Sequence, residues 1–208
     1  MRLHNKSAIV TGGASGFGAG IARKFAAEGA RVIIADLNAD LGEAIATELG
    51  AIFHHTDVAS GDSIAALAEA TGPVDILVNN AGVTHLPAPM ETVTEVDFDR
   101  VFAVNCKSVY LTARTFVPLM KAQGGGAILN VASTAGVSPR PRLNWYNASK
   151  GWMNTATKAM AVELAPDAIR VNALNPVAGE TPLLKSFMGE DTPETRAKFL
   201  STIPIGRF

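Results

Sequence analysis

Short apolar, β-branched runs alternate with longer helical patterns along most of this chain, and that alternation leaves little choice of fold. The runs are Ser7–Val10, Arg31–Ala35, Ala51–Phe53, Val74–Val78, Ala127–Val131 and Ile169–Leu174. Helical patterns fill the gaps at Gly16–Glu28, Ala39–Leu49, Asp62–Ala70, Thr94–Gln123 and Tyr146–Leu164, the fourth reading as two helices that meet near Asn105. Runs apolar on both faces belong in a parallel sheet that helices cover on each side. The expectation is a single α/β domain over residues 1–208, a Rossmann-like doubly wound sheet. With 208 residues the chain can bury one substantial core but is short for two domains.

The segment TGGASGFG, residues 11–18, follows the first strand directly and opens the first helix. Gly12, Gly16 and Gly18 permit positive φ and a close approach of backbone to a pyrophosphate, and the free N–H groups of a helix start favour its negative charge. Ser15 and Phe17 complete the turn. Eighteen residues beyond Gly18, Asp36 closes the second strand, where a carboxylate accepts hydrogen bonds from ribose hydroxyls and repels a 2′-phosphate. No Arg or Lys lies in the turn or at Leu37 and Asn38, so the expected cofactor is NAD(H) rather than NADP(H). Asp57-Val58 and Asn79-Asn80-Ala81-Gly82 end the third and fourth strands, the edge at which open α/β sheets bind ligands, although Asp and Asn also make local turns.

Taken together, the TGxxxGxG turn, the NNAG segment at residues 79–82, Ser133, and Tyr146 followed by Lys150 resemble the short-chain dehydrogenase/reductase family over essentially the whole chain. The resemblance implies a hydride transfer between a nicotinamide and a secondary alcohol or ketone, with Tyr146 as general acid/base, Lys150 beside it, Ser133 holding the substrate oxygen and Asn105 supporting a proton relay. It also implies cofactor contacts from Leu37, Asp57, Val58, Asn80, Ala81, Gly82, Tyr146, Lys150, Pro176, Val177 and Thr181. Val177 occupies a place where the family commonly has Gly. A 3-oxoacyl reductase or sugar dehydrogenase is the next reading of the substrate. A different class of function, an NAD(H)-binding sensor or scaffold without turnover, is opposed by the complete Asn105, Ser133, Tyr146 and Lys150 set.

Spacing supports part of the chemistry independently. Tyr146 and Lys150 lie four apart on one helix and share a face. Lowering a phenol by about 3 units takes about 4 kcal/mol. One positive charge at about 5 Å with an effective dielectric near 20 supplies roughly 3 kcal/mol of it, so Lys150 is expected to do most of the work.

Composition narrows the partners. Lys plus Arg number 18 against 19 for Asp plus Glu, which gives no field for nucleic acid or an anionic membrane surface and leaves a small molecule as the expected partner. Cys106 is the single cysteine, and His4, His54, His55 and His85 show no ligand spacing, so no metal is expected. The sequence has neither an apolar leader nor a run long enough to span a bilayer, and the expected location is cytoplasmic. His85, just after the NNAG segment, is expected in a solvated loop, with a place at the substrate entrance as the other reading. The resemblance implies that the loop carrying Arg140, Arg142 and Trp145 forms a wall of the substrate cleft, where these residues could meet an acidic or polar substrate. Lys107–Met120 carries apolar residues around most of its circumference, an excess that a partner subunit could cover, and the resemblance implies a homo-oligomer, tetramer or dimer. The proline-punctuated stretch Thr181–Phe199 is expected to form a substrate lid. Relatives usually continue through a further helix and a seventh strand beyond Phe208, which leaves open a truncated chain or one that dispenses with an edge strand.

Overall fold

The computed structural model describes residues 1–208 and contains a six-stranded, wholly parallel sheet. Its strands are β1 (Ser7–Thr11), β2 (Arg31–Asp36), β3 (Ile52–His55), β4 (Ile76–Asn79), β5 (Gly126–Val131) and β6 (Ile169–Leu174), in the spatial order β3-β2-β1-β4-β5-β6. From β1 the chain winds outward to β3, returns to β4 on the other side of β1, and winds outward again. That reversal splays the connections leaving β1 and β4 and opens a crevice at their carboxyl ends.

Eight α-helices accompany the strands: α1 (Gly16–Ala27), α2 (Ala39–Leu49), α3 (Gly61–Thr71), α4 (Glu95–Phe102), α5 (Ser108–Ala122), α6 (Asn144–Leu164), α7 (Pro182–Met188) and α8 (Pro193–Leu200). Successive strand residues face opposite layers, so Ile9, Ile33 and Leu77 pack under Leu67 of α3 and Phe116 and Met120 of α5. Their neighbours Val10, Ile34 and Val78 pack under Ala22 of α1 and Ala46 of α2. No helix is long and apolar enough to cross a membrane.

The expected elements appear with small shifts. Helix α6 starts at Asn144, two residues before the expected Tyr146, and β3 runs on to His55. The expected junction near Asn105 is a π-helical turn, Ala103–Lys107, which joins α4 to α5 without a break. A π turn widens the helix by one residue and re-aims what it carries; here it turns Asn105 and Cys106 inward, both buried. The apolar excess read on α5 is largely consumed inside the chain. Val109, Leu111 and Phe116 are all buried, because α5 packs against α3 as well as the sheet. Tyr110, half exposed, and Pro118 remain on its outer side.

Candidate active site

The crevice at the β1/β4 reversal is a cavity of about 580 Å³. Its floor at one end is the glycine turn. Gly12 and Gly16 adopt φ of 61° and 52°, and a Cβ on Gly12 would lie 2.8 Å from the Ala81 Cα. Gly18 faces the Gly12 carbonyl so closely that no side chain fits. It is therefore a packing glycine beneath the cavity rather than part of its wall.

Sequence-distant groups lock this turn. The Thr11 hydroxyl donates to the Val78 carbonyl and accepts from the Asn80 and Ala81 N–H groups at 3.0 and 3.2 Å. The Asn80 amide donates back to the Thr11 and Gly12 carbonyls at 2.9 and 3.0 Å. Asn79 sits one residue deeper, in a buried chain that runs from Thr112 through Asn79 and Asn130 to Thr157. Its amide therefore braces α5, β4, β5 and α6 and does not reach the cavity.

The residues at this end suit a dinucleotide. The first turns of α2, α3 and α4 are capped by the side chains of Asn38, Ser60 and Thr94, whereas Ser15 makes no such bond at α1, and no acidic residue occupies that helix's first turn. The donors at the start of α1 are thus left for an anion. Asp36 is held by N–H groups of Ala14 and Asn38 at 3.0 and 2.9 Å, which orients its carboxylate along the wall. Leu37, Asp57, Val58, Ala81 and Gly82 line the cavity with it. Asp57 also accepts from the Ala59 N–H at 2.9 Å, an Asx turn that fixes the loop after β3.

At the other end, Ser133, Tyr146 and Lys150 share one wall. Ser133 follows β5 and accepts from the Ala135 N–H at 3.1 Å, which leaves its hydroxyl proton free to donate. Three residues on from Ser133 is Gly136, whose added Cβ would meet the Lys150 carbonyl carbon at 2.6 Å and the Gly151 nitrogen at 2.7 Å. Only a bare backbone lets the segment carrying Ser133 settle this closely on α6. Gly136 is a residue that sequence reasoning missed, and a glycine three places after the serine was its only trace.

The electrostatics differ from the expectation. Lys150 Nζ donates to the Val131 carbonyl at 2.8 Å and stands 6.0 Å from the centre of the Tyr146 ring. Burial lowers the Lys150 pKa to about 8. Burial likewise raises that of Tyr146, against an opposing pull from the Ser133 hydroxyl. In this geometry burial of the phenol outweighs any help from the lysine, whose ammonium is turned to a carbonyl. Asn105 is also committed. Its side-chain oxygen accepts from the Val83 N–H at 2.9 Å, and its amide donates to the Val83 carbonyl and the Ser149 hydroxyl. Asn105 Oδ1 and Lys150 Nζ face each other across Gly82, each 3.4 Å from where a Cβ would stand.

The tail also lines the cavity. Pro176, Val177, Thr181, Leu184 and Phe187 line it, and Phe187 meets Tyr146 edge-on with ring centres 5.0 Å apart. Gly179 lies against the Phe17 ring and Gly16 against the Thr181 side chain, so the glycine turn and the tail pack directly together. Phe187 and Leu184 were missed because short helical pieces between prolines carry no periodic signal. Arg140, Arg142 and Trp145 are absent from the lining: Arg140 lies over the Phe199 ring at 4.3 Å, and Trp145 donates to the Met90 carbonyl and packs on Phe98. His85 is not solvated; it is buried beside the cavity. No three His, Cys, Asp or Glu side chains converge on a common point.

Residues 6–191 match the family model for short chain dehydrogenases. The chain belongs to the short-chain dehydrogenase family. Among curated members of this family, the 4-formylbenzenesulfonate dehydrogenase TsaC1/TsaC2 of Comamonas testosteroni is 49% identical over all of this chain and 86% of its own. The galactitol 2-dehydrogenase of Agrobacterium fabrum is 37% identical, again over all of this chain and 86% of its own. Among solved short-chain dehydrogenase structures, the 3-ketoacyl-(acyl-carrier-protein) reductase from Brucella melitensis, complexed with NADH, superposes with a TM-score of 0.93 at 47% identity, covering 99% of this chain and 86% of the other. This short-chain dehydrogenase is an oxidoreductase acting on CH–OH groups, as the galactitol dehydrogenase is.

Proposed function

We propose that the protein is an NAD(H)-dependent oxidoreductase that interconverts a secondary alcohol and a ketone, with Tyr146 as its general acid/base. The observation that carries this reading is the single cavity whose one end presents the α1 N-terminus and Asp36, and whose other end presents Ser133, Tyr146 and Lys150. Bound nicotinamide supplies the hydride donor or acceptor, which no protein side chain can provide. Gly12, Ser15, Gly16 and Phe17 hold the pyrophosphate, Asp36 and Leu37 the adenosine, Asp57 and Val58 the adenine side, and Asn80, Ala81, Gly82, Pro176, Val177 and Thr181 the nicotinamide half. A preference for NAD follows from Asp36 and from the lining, in which Lys150 is the only Lys or Arg.

Ser133 donates to the substrate oxygen, and Tyr146 Oη takes or returns its proton. Lys150, which donates to the Val131 carbonyl, would hold the cofactor ribose from the same wall, and its charge there would favour the phenolate. Asn105 pins Val83 and the π turn, so it orders the path behind Lys150 with its side-chain groups already spent. Val83, Val104, Leu184 and Phe187 present apolar surface to the substrate carbon skeleton. Residues 181–199 act as the lid, and the protein works as a homo-oligomer in the cytoplasm.

Absorbance at the reduced-nicotinamide band, followed over secondary alcohols with NAD and with NADP, tests the proposal. Wild type turns over with NAD preferred, and Tyr146→Phe binds NAD with little change while losing at least 100-fold in kcat. Undiminished turnover by that variant refutes the catalytic assignment, and NAD binding without turnover of any alcohol or ketone points to the sensor reading.

A further inference from the structure

The groups proposed to react sit on two elements, β5 with its continuation and α6. Strand β5 ends in Asn130 and Val131 and leads into Ser133, whereas α6 carries Tyr146 and Lys150. Two hydrogen bonds from side chains tie these elements together. Lys150 Nζ donates to the Val131 carbonyl at 2.8 Å. Two turns further along the same helix face, the Thr157 hydroxyl accepts from the Asn130 amide at 2.8 Å. Asn130 is fully buried and Thr157 nearly so, and neither lines the main cavity.

Of the two bonds, only the second can set how far along the strand the helix sits. The lysine stem is long and flexible and reaches one carbonyl from a range of helix positions. Asn130 and Thr157 are short, and a hydrogen bond holds its ends within about 2.7–3.2 Å. Both are fixed from behind: the Asn130 side chain also accepts from the Asn79 amide of β4 at 2.9 Å, and the Thr157 hydroxyl donates to the Met153 carbonyl at 2.8 Å. The other contacts at this point tolerate small slides. Met153 and Met160 pack there beside Val109, Ala132 and Ala173, apolar attraction has no direction, and methionine adapts to the space it is given.

We infer that Asn130 and Thr157 are positioning residues for the reaction: their bond fixes the register of α6 on β5, and through it the placement of Tyr146 and Lys150 against Ser133. This rests on the alcohol–ketone interconversion proposed above. Misplacing reacting groups by about 1 Å costs on the order of a hundredfold in rate, so a slide of α6 by part of its rise of about 1.5 Å per residue is enough to be measured. The far end of the same buried chain supplies the comparison. Thr112 of α5 is as deeply buried, its hydroxyl donates to the Asn79 side chain at 2.9 Å, and α5 contributes nothing to the lining of the cavity.

The test compares Thr157→Val with Thr112→Val in the full chain, since each removes one buried hydroxyl at nearly constant shape. Both melt below wild type. With NAD and the preferred secondary alcohol, Thr157→Val alone loses at least tenfold in kcat while both KM values change less than threefold, and Thr157→Ser, which keeps the hydroxyl, stays within threefold of wild type. A second readout needs no turnover. The Lys150 ammonium, which burial brings to a pKa of about 8, is titrated by NMR of ¹³C-lysine-labelled protein and assigned by its loss in Lys150→Met. Its midpoint rises by at least half a unit in Thr157→Val, as the ammonium loses its fixed seat and gains water, and stays in place in Thr112→Val. An unchanged kcat or an unchanged midpoint in Thr157→Val, or the same changes in Thr112→Val, overturns the proposal. Should Thr157→Val not fold, Thr157→Cys, close in size but with a sulfur that accepts only weakly, takes its place with the same expected outcomes. Absence of turnover with any alcohol or ketone in wild type counts against the proposed reaction instead, and the Lys150 midpoint still decides whether the bond positions α6.

Discussion

Replacing Lys150 with Met should abolish turnover and yet leave the cofactor-free protein no less stable near neutrality. Burial lowers the lysine pKa from 10.5 to about 8. A Lys whose folded value lies below its unfolded value binds fewer protons folded than unfolded between those two pH values, so stability rises as pH rises through that window. Below about pH 8 the cost of keeping the ammonium buried is fully present, about 3 kcal/mol at pH 7, and by pH 10 about 1 kcal/mol of it remains. Met fills a similar volume with no charge to desolvate but leaves the Val131 carbonyl without its donor, a loss of about 1–3 kcal/mol. The two roughly cancel at pH 7. Urea denaturation of wild type and Lys150→Met from pH 7 to pH 10 is the assay. The wild-type value should climb by about 2–3 kcal/mol relative to the variant across that range. Tyr146 adds its own dependence only near and above pH 10, and it is common to both proteins. Parallel pH profiles would refute the reasoning, since they would mean that Lys150 is as well solvated folded as unfolded.

Gly136→Ala should cost about 1–3 kcal/mol by pushing two backbone segments apart, read as a fall in the thermal midpoint, with kcat lowered because Ser133 is carried away from Tyr146. Asp36→Ala combined with Leu37→Arg should raise the NADP-to-NAD ratio of kcat/KM at least tenfold; an unchanged ratio would remove Asp36 from the adenosine site. Burial raises the Cys106 thiol to about 11, so at pH 8 the native protein should react with a disulfide reagent roughly a hundredfold more slowly than the urea-unfolded chain.

The sheet was legible because its order depends on patterns that a sequence displays directly. A β-branched run apolar on both faces can be buried only between two helical layers, and Ile9-Val10 and Ile33-Ile34 do this by facing one layer each. The residues in contact with the cavity were legible for a similar reason: Gly12, Asp36, Asp57 and Asn80 all fall at strand ends, and a parallel sheet brings strand ends to one edge. What stayed hidden depends on contacts between segments far apart in the chain. The Thr11 hydroxyl that pins the glycine turn reaches Asn80 across 69 positions, and no local pattern distinguishes it from any threonine at a strand end. His85 read as a loop residue by composition, and only the packing of α4 and α7 around it makes it buried.

The charge on Lys150 shows why spacing alone misjudged the site. Four residues on one helix place Tyr146 and Lys150 on the same face, and Coulomb's law at that separation then depresses the phenol. The same burial that brings the pair together removes water from both groups, and desolvation acts on each before they act on one another. With the ammonium bonded to the Val131 carbonyl, Tyr146 is held neutral and Lys150 is close to losing its proton at mildly alkaline pH. Such a site holds its acid in the protonated form until something recruits the lysine away from Val131. In the reading proposed above, a cofactor ribose would present hydroxyl oxygens that can do so, and formation of a reactive phenolate would then be coupled to cofactor binding. Ionisation of Tyr146 should accordingly be observable, as a rise in phenolate absorbance at moderately alkaline pH, in the protein with NAD bound and not in the protein alone.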